Sequence, residues 1–114
     1  MTIQRFEIGP RMSQVVVHGG VARLAGVVAD DAQAPVGEQT RQVLAEIDRL
    51  LALAGTSKSR LLKANIWLAD IGQFGEMNKA WEAWIDPANP PARATVEAKL
   101  AGAYLVEIMV EAAV

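Results

Sequence analysis

Cysteine is absent from the chain. That excludes disulfides, thiolate metal sites and a cysteine nucleophile together, and it points to the cytoplasm. Histidine occurs once, at His18, so a multi-histidine metal centre within one chain is also excluded and no metal is expected. His18 lies beside Gly19-Gly20 and reads as a turn residue. Eleven Lys and Arg against thirteen Asp and Glu leave a net charge of −2. Phosphate binding depends on clustered cations, and Lys58, Arg60 and Lys63 are too few and too scattered for that, so no nucleic-acid partner is expected. No apolar run is long enough to span a bilayer, and Met1 to Glu7 lacks the basic segment and apolar stretch of a secretory signal.

What is present is apolar and patterned. Hydrophobic residues make up 52% of the 114 positions, enough for the core of one domain covering residues 1–114. Val15 to His18 and Val21 to Leu24 flank Gly19-Gly20 and read as a tight hairpin, because primed turns need positive φ. Ala25 to Val28 extends the second strand, and a loop rich in Asp, Ala and Pro follows. From Pro35 to Ala54, Val43, Leu44, Ile47, Leu50, Leu51 and Ala54 recur at steps of three and four, which is a helix closed by Gly55. Leu61 to Leu68 alternates as a strand. Asp70, with Gln73 three residues on, resembles a capping box before a second helix. Phe74, Met77, Trp81 and Trp84 form that helix's apolar stripe, and Asp86-Pro87 ends it.

The last two segments carry the only constellation that suggests chemistry. Read with period 2, Ala94, Val96, Ala98 and Leu100 form one face of a strand and Arg93, Thr95, Glu97 and Lys99 the other. Val106, Ile108, Val110 and Ala112 face away from Glu107, Met109 and Glu111. If the two strands share a sheet, this parity places Arg93 and Glu107 together on the face away from the core. A guanidinium beside a carboxylate would make an anion site with an acid/base group next to it. The bland alternative pairs Arg93 with Glu97 or Glu107 as an interface salt bridge. The expected order is β-β-α-β-α-β-β, an α+β mixed sheet with two helices on one face. The opposite face, with Trp67, Thr95 and Met109, is too apolar to remain wet, so a homo-oligomer is expected.

Gln39, Val43-Leu44, Ile47, Leu50-Leu51, Ala54-Gly55, Lys63 to Asp70, Phe74, Met77-Asn78, Trp81, Pro91-Ala92-Arg93 and Val106-Glu107-Ile108, in this order, resemble the Rid family of reactive-intermediate (enamine/imine) deaminases. The family is also called YjgF or RutC, and often endoribonuclease L-PSP. Met77 to Trp81 and the Ala112-Ala113-Val114 ending are similar to its YoaB-like branch. The resemblance implies a chorismate-mutase-like fold, with three subunits forming a barrel and ligand clefts between neighbours. It implies Arg93 as the carboxylate anchor, Glu107 as the residue that handles water, and no cofactor. Asn78 matches an asparagine near the family's cleft, and the backbone around Thr95 would shape that cleft. The chain departs from the family at three places. Ala25, ahead of Gly26, stands where many members have serine; Met12 or Arg11 replaces an aromatic; and Thr95 replaces a cysteine. The pocket lining around the cleft is therefore altered.

The implied activity is hydrolysis of small 2-imino acids to 2-keto acids and ammonia, of the 2-iminobutanoate/2-iminopropanoate type, serving metabolite damage control. Binding of a 2-keto acid or related carboxylate without turnover is the alternative, and RNA cleavage is the weakest of the three readings.

Overall fold

A computed structural model describes residues 1–114. The elements run β1 (Gln4–Ile8), β2 (Ser13–His18), β3 (Val21–Leu24), α1 (Val36–Leu53), β4 (Leu61–Leu68), α2 (Phe74–Trp84), β5 (Ala92–Glu97) and β6 (Val106–Ala113). Single 3-10 turns precede β4 and α2, at Lys58–Arg60 and Ile71–Gln73. The expected order thus lacked one strand, β1. It lies at the sheet edge and pairs only with β2, and its mostly polar residues give little alternation to read. The strand Ala25 to Val28 is also shorter than expected. β3 ends at Leu24, and Val27 makes an isolated bridge to Ile108.

The six strands form one mixed sheet in the order β1-β2-β3-β6-β4-β5. All pairs are antiparallel except β4 with β5. Gly19 and Gly20 adopt φ of 61° and 78° in the hairpin turn, as the primed geometry requires. α1 buries Val43, Leu44, Ile47, Leu50 and Leu51 against the sheet's Val15, Ala22, Leu24, Ile66, Ile108 and Val110. Each Val, Leu or Ile side chain among them contributes about 1.5–3 kcal/mol when removed from water. Both helices cover the same face, as anticipated.

The capping box does not form. Asp70 Oδ1 accepts the Gly72 N–H at 2.8 Å and so caps the 3-10 turn instead, while Gln73 makes no side-chain cap. Two polar contacts fix the periphery. Glu7 is the one non-glycine residue with positive φ, 52°. Its carboxylate meets Arg49 of α1 at 2.6 and 2.9 Å, and those hydrogen bonds hold it below the usual carboxylate range. Gln39 is fully buried with every polar atom engaged: its amide donates to Ala32 O (3.0 Å) and Ala34 O (2.9 Å) and accepts from Leu105 N–H (3.0 Å). It ties the loop before α1 to the start of β6. Gln39→Leu keeps the volume but leaves three backbone groups unpaired, so urea unfolding is expected to show a loss of about 2–4 kcal/mol. An unchanged midpoint would mean these bonds are replaced by water.

Candidate active site

The register of β5 overturns the parity expected for Arg93. Arg93 pairs with Ala64 and Thr95 with Ile66, and Ala64 in turn pairs with Val110. Ala64, Ile66 and Val110 are all in the helix-covered core, and cross-strand partners point to the same side. Arg93, Thr95 and Glu97 therefore face the helices, whereas Ala94 and Val96, expected in the core, face the open side. Glu107 pairs with Trp67, which pairs with Val96, so it does lie on the open face. Arg93 and Glu107 are thus on opposite faces. They are separated by two strand spacings and three residues, each about 10 Å. One small ligand cannot touch both within a single chain.

The first cluster forms at the free edge of β5. The Arg93 guanidinium carbon lies 5.7 Å from the Phe74 ring centroid and 5.3 Å from that of Trp81. Phe74, Asn78 and Trp81, at i, i+4 and i+7, share one stripe of α2, so Asn78 sits between the two rings on the face that meets Arg93. Stacking on aromatics holds a planar cation without consuming its N–H groups. Arg93 makes no ion pair. Glu97, one of its expected partners, instead accepts the Ile71 N–H at 3.1 Å. Burial lowers Arg93 from the usual arginine range, opposed by the charge of Glu82, and the group stays cationic at neutral pH.

Ala98 N–H donates to Leu68 O at 2.9 Å. Backbone groups alternate across a strand, so residues 94 and 96 also bond toward β4. The N–H groups of Arg93 and Thr95 then point to the free edge. The Thr95 hydroxyl is buried without a partner, so Thr95 offers its backbone and not its side chain. The sequence stripe identified Phe74 and Trp81 as packing residues and missed their role as the shelf for Arg93. Their spacing of seven, followed by an arginine on the next strand, is the signal that could have shown it.

The second cluster lies on the open face. Arg23 pairs with Glu111, but Val27 bridges Ile108; four residues on one side span three on the other, a β-bulge at Ala25-Gly26. The bulge brings Gly26 onto the Glu107 carboxylate: a Cβ at Gly26 would stand 2.2 Å from Oε2 and 3.0 Å from Cδ. Glu107 forms no ion pair, and Trp67, Met109 and half-exposed Val96 share its face. Ala25, Gly26 and Glu107 are therefore together, as are Arg93, Thr95 and Asn78, but the two groups are apart. The β1–β2 connection holds Arg11 and Met12 beside a shallow recess of about 120 Å³ with Gly9, Pro10 and Gln14. Gln14 O accepts the Ala25 N–H at 2.9 Å, so this recess borders the bulge of the second cluster. Gly26→Ala is expected to leave the fold intact and drive the Glu107 carboxylate outward by more than 1 Å, since ordinary contacts begin at 3.4 Å. A crystal structure of the variant checks this; an unmoved carboxylate would contradict the close approach.

No helix is long and apolar enough to cross a membrane. Comparison with known proteins agrees with this architecture. The family model described as endoribonuclease L-PSP matches residues 2–114. The RutC family protein YoaB of Escherichia coli is 44% identical, with all of both chains covered. A RutC family protein of Haemophilus ducreyi is 43% identical over 98% of this chain and 97% of its own. Among solved structures, a YjgF-family protein from Neisseria meningitidis superposes with a TM-score of 0.96 at 43% identity, covering 99% of this chain and 95% of that one. The α+β sheet with two helices is the chorismate-mutase-like fold of these neighbours. The chain belongs to the Rid family, also known as RutC, YjgF or endoribonuclease L-PSP, and to its YoaB-like branch.

Proposed function

We propose that this protein is a cytoplasmic hydrolytic deaminase of small reactive enamine/imine carboxylates, converting a 2-imino acid and water to a 2-keto acid and ammonia. The observation that carries the reading is Arg93: a half-buried guanidinium, held by two aromatic rings, with no carboxylate of its own. Such a group is stabilised by an anion from outside, and its planar fork suits a carboxylate. The adjacent Thr95 N–H supplies a further donor, and the Asn78 amide flanks the cation.

Glu107 is the unpaired carboxylate available as a base. It lies on the opposite face of its own chain, so the complete site takes Arg93 from one subunit and Glu107 from a neighbour. A homotrimer with clefts between subunits meets that requirement, and it also covers the open face bearing Trp67, Met109 and Val96.

In the cleft, Glu107 accepts a proton as the water oxygen bonds to the C=N carbon and passes it to the nitrogen, giving a carbinolamine. It then carries the remaining hydroxyl proton to the same nitrogen. The C–N bond breaks, ammonia leaves and the carbonyl forms. An imine carbon is already electrophilic, so positioning and one proton carrier suffice, the latter worth about 10²–10⁴-fold.

The carboxylate anchor is complete within one chain whereas Glu107 is remote from it, which favours carboxylate binding without turnover as the second reading. RNA cleavage, the activity in the family name endoribonuclease L-PSP, is the weakest reading, because the net charge is −2 and no Lys/Arg cluster exists.

Ammonia release from freshly generated imines tests the proposal. Wild type is expected to exceed buffer, Arg93→Ala to raise KM, and Glu107→Ala to lower kcat by roughly 10²-fold or more. A wild-type rate equal to buffer, with Arg93→Ala abolishing thermal stabilisation by 2-keto acids, would establish the binding module instead.

A further inference from the structure

Ile71, Gly72, Gln73 and Phe74 run along the helix-facing side of β5. Ile71 N–H reaches the Glu97 carboxylate at 3.1 Å, and the Phe74 ring stacks near Arg93. Arg93, Thr95 and Glu97 occupy successive positions on that face, so the segment has one end at Glu97 and the other at Arg93. Its polar side-chain atoms are turned inward: Gln73 Oε1 is buried without a partner, as is Thr95 Oγ1. The side chains shown outward are Ile71, 44% exposed, and Phe74, 42% exposed. At i and i+3 they are surface neighbours. Trp81, the other ring at Arg93, is only 6% exposed. The unpaired cation therefore has a buried aromatic on one flank and a wet apolar ledge on the other. Two large apolar side chains exposed beside a charge are the unusual feature, and they point to something that covers them.

We infer that the Ile71–Phe74 ledge receives the side chain of the carboxylate held at Arg93, so that the protein selects acids with branched aliphatic or aromatic side chains over small ones. This rests on Arg93 being the anchor. With the carboxylate on the N–H edge of the guanidinium, the Phe74 ring is the apolar surface next to the α-carbon and its substituent. Ile71 extends that surface along β5. The carboxylates bonded to the ledge backbone, Glu97 at Ile71 N–H and Asp70 at Gly72 N–H, repel an acidic substituent, and the exposed Ile71 and Phe74 side chains offer an amide no partner. Phe74 and Ile71 are thus specificity-determining residues.

Calorimetric titration of the intact oligomer with pyruvate, 4-methyl-2-oxopentanoate and phenylpyruvate tests this without depending on turnover. Wild type is expected to bind the two larger acids roughly 10-fold or more tighter than pyruvate, the scale of apolar pocket discrimination. Phe74→Ala should erase that ratio. Phe74→Leu should keep it for the aliphatic acid and lose it for the aromatic one. Equal affinities in wild type would overturn the inference, as would Phe74→Ala weakening all three acids by one factor or dissociating the oligomer. In those cases Phe74 only steadies Arg93 or meets a neighbouring subunit, and the anchor stands. If no acid binds wild type, the anchor fails and the ledge with it.

Discussion

Parallel pairing of β5 with β4 determines which side of the sheet every residue of Ala92–Glu97 meets. Two helices can cover only one face, and the pairing turns Arg93 toward them. There it meets Phe74 and Trp81 instead of solvent. β6, two strands away from β5's edge, turns Glu107 the other way. One constraint of sheet geometry therefore separates an unpaired cation from an unpaired carboxylate within the chain. It is also the reason why a site using both groups on one small molecule must draw on two chains.

The two clusters are built differently. Arg93 is desolvated but not neutralised. Contact with two ring faces recovers part of the cost of burial, and the rest is left for a ligand to offset, which favours anion binding over mere structural pairing. Glu107 is held by shape. A bulge and a glycine let the carboxylate rest against the backbone, a position any side chain at residue 26 would occupy. Around both, fixed elements supply rigidity: Gln39 joins the loop before α1 to β6, and Glu97 joins the turn before α2 to β5.

Much of this was legible in the chain. Leu61–Leu68 and the α1 stripe were readable because burial on one side imposes a period. Val106, Ile108, Val110 and Ala112 were readable for the same reason, as was the Gly19-Gly20 turn. β5 was misread because Ala94 and Val96 are more apolar than Arg93 and Thr95, and amphipathic logic assigns the apolar side to the core. At a sheet edge neither face is fully buried: an arginine stem can pack on aromatics while small apolar residues face outward. A five-residue edge strand with one partner, β1, carries too little periodicity to see. The family resemblance gathered Arg93, Asn78, Glu107 and Gly26 around one cleft, without dividing them into two groups. Their separation needed the register.

Subunit complementation is the most direct test that the two clusters act as one site across chains. Arg93→Ala and Glu107→Ala chains, each far below wild type toward imines at a concentration under the Arg93→Ala KM, would be unfolded, mixed in equal amounts and refolded together. If each cleft takes Arg93 from one subunit and Glu107 from the next, about a quarter of the clefts receive both intact groups, and ammonia release should return to about that share of wild type. Recovery no greater than the sum of the two separate variants, in oligomers shown to contain both chains, would contradict a shared site.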